Sequence, residues 1–562
     1  MISKIIHRGP DSQNFYFDKN IHMGHARLRI IDLDKKSDQP MYDNSHGLIL
    51  IFNGEIYNFQ ELKKELFEYN FKTQSDTEVI ISCYLRWGDK CVEKLNGEFS
   101  FIIYDKKNKN IFGARDRFGI KPLFYFKDKN DNIFFSSEIK SLKNISAFEP
   151  NLNILSHYIM DENFEDSKET FFKNIFQIKP GYKFNIDITG MKLEKYYSIT
   201  KSSNYLVNQN ILNCIKDSIK LRLRSDVPIG LYYSGGVDSS ILAYIIKYFT
   251  KKKFSSYTAV SDRVSVSEIN KLKNLTKKLN LRNKLVKHED IKKKDLEKTL
   301  ISLSWHIETP FNPSVLIDEI LNKTAKKNKL RVVLEGQGSD EIFAGYERYH
   351  FTNQVQKFHE SKFKIKNLVF FLKYALKIFL NIDFIYNLKQ KIKIFKYQKY
   401  FNFKINLKYL KKKEIFKEVK DHQIFDMNSK LLRVLRVKDR VSMKHSVELR
   451  VPFLDHNLVN MAFHLDNNKK ISCNKRKIIL KKNFENLIPK NIFKEKKNQM
   501  LKNKTKSKIT DEMHTIIMNK IKNKSLKSNN LLNSNQIYNT KITDKNLLWK
   551  IGQLEFLYQN FQ

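Results

Sequence analysis

The chain has 562 residues, enough for two to four domains at about 150 residues each. Its hydrophobic fraction is 41%, with 42 Phe and 26 Tyr, which supplies packed interiors and excludes an intrinsically disordered protein. A net charge of +43, from 103 Lys and Arg against 60 Asp and Glu, attracts polyanions, but the excess is spread along the whole chain and forms no patch beside stacking aromatics, so no specific nucleic-acid binding is expected.

The predicted elements, in chain order, begin with a β-rich first domain over residues 1–200. Short apolar runs at 48–52 and 99–104 read as buried strands, and a helix over 57–69 follows a turn at Asn53-Gly54. Pro180-Gly181 punctuates the region, and strand-like residues as far as Tyr197 close it. The character changes near Asn208, and a second domain is expected over 205–500. Helical spacing at 211–224 leads to a strand at 229–233, a glycine turn, and a helix at 239–249. Further strands are expected at 256–260 and 331–334. Strands alternating with helices argue a parallel, doubly wound sheet, so the fold class is multidomain α/β. Residues 350–430, rich in Lys and Phe, read as a helical insertion. Residues 501–562 read as a polar tail that ends in a closing amphipathic helix.

Four cysteines, Cys83, Cys91, Cys214 and Cys473, make neither a metal knuckle nor a disulfide framework, which suits a reducing, cytoplasmic setting. The most membrane-like stretch, 368–388, is broken by Lys373, Lys377 and Asp383, so no membrane span is expected. A homodimer is left open.

The strongest motif is Ser234-Gly235-Gly236-Val237-Asp238-Ser239-Ser240, set between a strand and a helix. Two glycines let the backbone approach an anion, and the following helix offers free N–H groups and the positive end of its dipole. The serine hydroxyls can donate, and Asp238 can hold Mg²⁺. A Lys-Ser/Thr Walker pattern is not present, so the loop resembles the pyrophosphate loop of ATP pyrophosphatases instead. A second cluster, Gly336-Gln337-Gly338-Ser339-Asp340-Glu341, follows a strand, where ligands bind in open α/β sheets. Asp340 is a candidate second carboxylate on the metal.

Further motifs are His7-Arg8-Gly9-Pro10-Asp11, Gly24-His25-Ala26-Arg27-Leu28, Phe52-Asn53-Gly54-Glu55-Ile56-Tyr57-Asn58, Ser75-Asp76-Thr77-Glu78, the run 114–123 and Glu448-Leu449-Arg450-Val451-Pro452-Phe453-Leu454-Asp455. With these ordered matches the chain resembles the glutamine-dependent asparagine synthetases over most of its length. The resemblance implies an N-terminal-nucleophile αββα sandwich that releases ammonia from glutamine. It implies a Rossmann-like synthetase domain that uses ATP and Mg²⁺ to form an acyl-adenylate from aspartate, and an internal passage for ammonia between the two. It places glutamine on Arg27, Asn53, Gly54, Glu55 and Asp76, with Asn53 and Gly54 as the oxyanion hole. ATP falls on Tyr233, Ser234, Gly235, Gly236, Asp238, Ser239, Val260, Glu335 and Gly336, Mg²⁺ on Asp238 and Asp340, and Lys477 opposite the pyrophosphate.

Three departures qualify these expectations. The family's nucleophile is a processed N-terminal cysteine. Here Met1 stands only six residues before His7, so either that segment lies upstream of the sequence as written, the alternative favoured, or the glutaminase domain is a relic and free ammonia is the donor. Gln337 occupies a position that is acidic in many members, and an amide cannot act as a base. The acceptor loop His306-Ile307-Glu308-Thr309-Pro310-Phe311-Asn312-Pro313-Ser314 resembles that of a branch whose acceptors include uronic acids and surface-polymer precursors. Aspartate is the first expectation and another carboxylate the alternative.

Overall fold

The structure, a computed structural model, describes the chain except residues 147, 161–163, 200–209, 251–253, 261–264, 288–294, 361–382, 407–415, 473–474, 490, 495–501, 529, 541 and 562. The expected domain boundary near 205, Cys473 and most of the stretch 368–388 lie outside the described residues. No helix among the described residues is long and apolar enough to cross a membrane.

Among the described residues, eleven strands build the first domain: β1 Ser12–Phe17, β2 His22–Arg27, β3 Met41–Asp43, β4 Leu48–Ile56, β5 Gly97–Asp105, β6 Asn110–Arg115, β7 Phe124–Lys127, β8 Ile133–Ser136, β9 Ile175–Gln177, β10 Tyr182–Asp187 and β11 Gly190–Lys195. The main sheet runs β11-β10-β6-β5-β4-β3, with every pair antiparallel. Its alternation explains why both faces are buried. Leu48, Leu50 and Phe52 with Phe99, Phe101 and Ile103 pack under the helices Phe59–Glu65 and Glu78–Trp87. Ile49, Ile102 and Tyr104 face Met23 of β2 and Leu123, in the second β layer.

β4 extends through Asn53 and Gly54, which pair with Ser100 and Phe99. The turn expected there does not form. Gly54 adopts φ +148°, and a Cβ on it would stand 2.0 Å from the Glu98 carbonyl oxygen. The glycine serves close strand approach rather than chain reversal.

The second domain holds a five-stranded parallel sheet of β12 Ile229–Tyr232, β13 Phe254–Val260, β14 Leu281–Lys287, β15 Val332–Leu334 and β16 Glu448–Arg450, in the order β14-β13-β12-β15-β16. Leu231 and Leu334 join the cluster of Ile215, Ile241 and Ile245 on one face, and Tyr232 and Val333 join Ile320 and Ala325 on the other. The order reverses between β12 and β15, which makes the carboxyl ends of those two strands the binding crevice of this topology.

A third core joins the domains. Phe171 and Phe172 pack with Leu300, Leu303, Phe401 and Trp549. Residues 501–562 therefore differ from a polar tail: Met513, Ile517 and Ile521 on helix Lys502–Lys522 face inward, and helix Lys545–Tyr558, capped by Asp544, is buried from Leu547 to Tyr558. Polar joints reinforce this. Arg8 pairs with Asp439 at 2.9 Å, Asp11 pairs with Arg331, and Asp455, which caps helix His456–His464, accepts from the Asn96 amide at 2.9 Å.

Candidate functional site

The glycine turn after β12 is formed by Ser234, Gly235 at φ +73° and Gly236, and leads into helix Val237–Thr250. Ser234 Oγ lies 3.1 Å from Ser239 Oγ and accepts from the Gly236 N–H at 3.4 Å. Ser240 Oγ meets the Tyr233 hydroxyl at 3.1 Å. Tyr233 and Val260 share the hydrophobic cluster on this face. Gly336, after β15, lies across the turn: a Cβ there would stand 3.0 Å from Asp238 Cβ. The two glycine clusters, about a hundred residues apart in sequence, thus face one another.

Lys477 joins them. Its Nζ donates to Asp238 Oδ1 and Oδ2 at 2.5 and 2.6 Å and lies 2.7 Å from Asp340 Oδ1. Ser339 Oγ donates to Asp238 Oδ1 at 2.7 Å. Burial opposes the charge on Lys477, but Asp238 and Asp340 hold its ammonium well above the ordinary lysine range. Two carboxylates converging on one cation, beside a glycine turn at the start of a helix, form a hard-oxygen donor set suited to Mg²⁺ and a cationic partner suited to phosphate.

The sequence reading missed Gly345. A Cβ on it would stand 2.1 Å from Asp340 Oδ1 and 2.4 Å from Lys477 Cε. Its only sequence signal is its place in Ala344-Gly345-Tyr346, four residues after the acidic pair. Gly345→Ala is expected to displace Lys477 or Asp340 and to lower ATP–pyrophosphate exchange by about tenfold to a hundredfold with little change in melting temperature. Unchanged exchange would show that the contact tolerates a methyl group.

The Glu335 side chain is held by Lys438 and Gln337. Its Oε1 accepts from Lys438 Nζ at 2.6 Å and from the Gln337 amide at 3.0 Å, and Lys438 also reaches Asp318 Oδ1 at 2.7 Å. The expected acceptor loop is anchored elsewhere. Glu308 is 1% exposed and accepts the N–H groups of Ile139 and Lys140 at 2.9 and 2.7 Å, so this carboxylate ties the loop to the first domain. The Phe311 N–H donates to Gln553 Oε1 at 2.9 Å, on the closing helix.

In the first domain a cavity of about 500 Å³ is lined by Arg27, Asn53, Gly54, Glu55 and Asp76 together. Met443 and Glu448 of the second domain complete its wall. Asn53 Nδ2 and Glu55 Oε2 are buried without hydrogen-bond partners, so a free donor and a free acceptor face one volume. Glu55 also pairs with Arg450 at 3.3 Å. Burial raises both acids, Glu55 well above its ordinary range and Asp76 to about 6, although the Ile56 N–H donates to Asp76. Arg27 directs its Nη atoms to the carbonyls of Ile31, Asp32 and Asp34 and to Asp38 at 2.7 Å, so it also braces the 31–38 loop.

His7, Glu138 and His306 lie close enough to share an ion. Glu138 is already paired with Arg8 at 3.0 Å, with Arg440 at 3.1 Å and with Lys140. A divalent cation would enter among three positive charges, so the cluster is a joint between domains rather than a metal centre.

The glutamine amidotransferase domain pattern matches residues 1–197 and the asparagine synthase pattern residues 210–554. The chain is 30% identical over 530 residues to asparagine synthetase (glutamine-hydrolyzing) 1 of Bacillus subtilis, covering 88% of this chain and 82% of that protein. It is 29% identical over 533 residues to asparagine synthetase (glutamine-hydrolyzing) 3 of the same organism, covering 88% and 82%. An amidase of Gibberella zeae is 28% identical over 377 residues, covering 61% of this chain and 54% of that protein.

Proposed function

Since the chain belongs to the family of glutamine-hydrolysing asparagine synthetases, which are carbon–nitrogen ligases, we propose that it adenylylates a carboxylate with ATP and converts the adenylate to an amide with ammonia, aspartate being the first candidate acceptor. The observation that carries this is Lys477 bridging Asp238 and Asp340 beneath the glycine turn. In this reading Ser234, Gly235, Gly236 and Ser239 hold the pyrophosphate, and Tyr233 and Val260 flank the base. Asp238 and Asp340 would hold Mg²⁺, which supplies charge neutralisation on the phosphates when bound. Lys477 stabilises charge that builds on the departing pyrophosphate more than charge in the ground state.

Glu55 and Asp76 take the α-ammonium of glutamine, and Asn53 Nδ2 takes the developing oxyanion. Met443 and Glu448 bring the second domain into the wall of the glutamine cavity, the side toward which released ammonia would have to travel. The amidase among the relatives keeps acceptors other than aspartate, such as a uronic acid or a surface-polymer precursor, as the second reading. ATP–pyrophosphate exchange measured across a panel of carboxylates is the test. Exchange dependent on aspartate supports the first reading, exchange with another acid only supports the second, and exchange with none overturns both.

The acids of the glutamine cavity set a pH dependence. Asp76 with a pKa of about 6 stays protonated in the empty fold between its ordinary value and that pH. The folded state then holds a proton that the unfolded chain has lost, so this group lowers stability as pH rises through that window. An arriving ammonium favours the ionised form. Glutamine is therefore expected to bind about tenfold more tightly at pH 7 than at pH 5, and to raise the melting temperature more at the higher pH. Calorimetric titration at the two pH values checks this, and equal affinities would place the ammonium elsewhere.

A further inference from the structure

The turn after β15 carries Glu335 and Gln337 on either side of Gly336. Oε1 of Glu335 is taken by Lys438 and by the Gln337 amide. Oε2 is buried and has no hydrogen-bond partner. Leaving a buried carboxylate oxygen unpaired is costly, so an oxygen held in that condition marks a position where a donor arrives. Two features locate that donor. Gly336 presses on Asp238, which puts Glu335 one residue from the phosphate loop. Lys438 belongs to helix Leu432–Lys444, and Met443 on the same helix lines the glutamine cavity. Glu335 thus stands between the wall through which nitrogen comes and the loop where the activated carboxylate is made.

Building on the function proposed above, we propose that Glu335 is the proton acceptor of the amide-forming step, serving at 335 where the amide of Gln337 cannot. The nitrogen lone pair of ammonia forms a C–N bond to the acyl carbon of the adenylate. The bond from that carbon to the phosphate oxygen breaks, and its electron pair leaves with AMP. One N–H proton passes to Glu335 Oε2 and then to solvent, so acyl-adenylate and NH₃ become amide, AMP and a proton. Lys438 and Gln337, both on Oε1, fix the carboxylate so that Oε2 is the oxygen presented.

The test compares the unsubstituted chain with Glu335→Gln and with the double variant Glu335→Gln/Gln337→Glu, which moves the acid by two residues. Substrates are ATP, ammonium chloride, and aspartate or whichever carboxylate supports exchange in the unsubstituted chain. Amide formation and ATP–pyrophosphate exchange are read separately. Glu335→Gln is expected to lower amide formation by about a hundredfold to ten-thousandfold, far more than it lowers exchange, and the double variant is expected to regain at least tenfold of that loss. Near-normal amide formation in the single variant would overturn the assignment. Equal loss of both reactions would also overturn it, since it would mark a structural role. Absence of exchange in the unsubstituted chain is a different failure, that of the functional reading itself.

Discussion

Asp238→Asn is expected to lower ATP–pyrophosphate exchange a thousandfold or more. Both Asp238 oxygens meet Lys477 within 2.6 Å, and one also accepts from Ser339. Asparagine keeps the shape but removes the charge, and turns one acceptor into a donor aimed at an ammonium. It thereby removes a proposed metal ligand and leaves Lys477 paired with Asp340 alone. A loss of several kcal/mol in transition-state stabilisation corresponds to about three orders of magnitude in rate or more. The side chain is 21% exposed at the crevice, so the melting temperature is expected to move little. Exchange within a few-fold of the unsubstituted chain would remove Asp238 from the metal site. A chelator added to the unsubstituted chain is expected to reproduce the loss, and excess Mg²⁺ to reverse it.

Changing the nitrogen source should have a comparably large effect. Ammonium is expected to support product formation, increasingly as pH rises and the NH₃ fraction grows, and glutamine to do so only where a free N-terminal cysteine stands as nucleophile. An oxyanion hole does not replace an attacking nucleophile. Cys83 and Cys91 are fully buried in the helical layer behind the main sheet, and burial pushes both thiols far above their ordinary range. Cys214 packs in the second domain. None of these three lines the glutamine cavity, and Cys473 lies outside the described residues. A polypeptide in which a free N-terminal cysteine precedes this sequence is expected to use glutamine, and one that starts at Met1 is not. The measurement is glutamate released per product formed, with each nitrogen source in turn. Stoichiometric glutamate from the unextended chain would show that another nucleophile reaches the substrate.

What the sequence made legible was local chemistry with a local signature. The turn at 234–236 and the pair Asp238 and Asp340 could be read because glycines and acids at a strand end have few other uses. The β12 and β15 strands were placed within a residue or two for the same reason. Errors came where a residue type serves two geometries or where the partner is distant. Asn53-Gly54 reads as a turn before a helix, yet the glycine is used for strand contact across β5, which no short-range pattern reveals. Glu308 was read from its loop, but its partners Ile139 and Lys140 lie about 170 residues away. The inward stripe of Met513, Ile517 and Ile521 stands at helical spacing but is flanked by lysine-rich runs at 502–508 and 520–524, which give the segment its polar look. Lys477, one lysine among many, carried only the resemblance to recommend it. The side-chain swap of roles between Glu335 and Gln337 required Lys438 from a distant helix to be seen at all.

The anchoring of Glu308 bears on how this lineage could change its substrate. Its carboxylate caps two backbone N–H groups of the first domain and pairs with Arg440 at 3.2 Å. Any mutation there orphans buried donors across a domain boundary, a penalty of about 1–3 kcal/mol for each unsatisfied group. Selection for a new acceptor would therefore be filtered away from position 308 by folding alone. Variation would collect instead at Asn312 and Ser314, exposed positions of the same loop that carry no such joint. Laboratory evolution toward a foreign carboxylate should recover changes at those two positions first, with Glu308 inherited intact as a hinge pin of the assembled molecule.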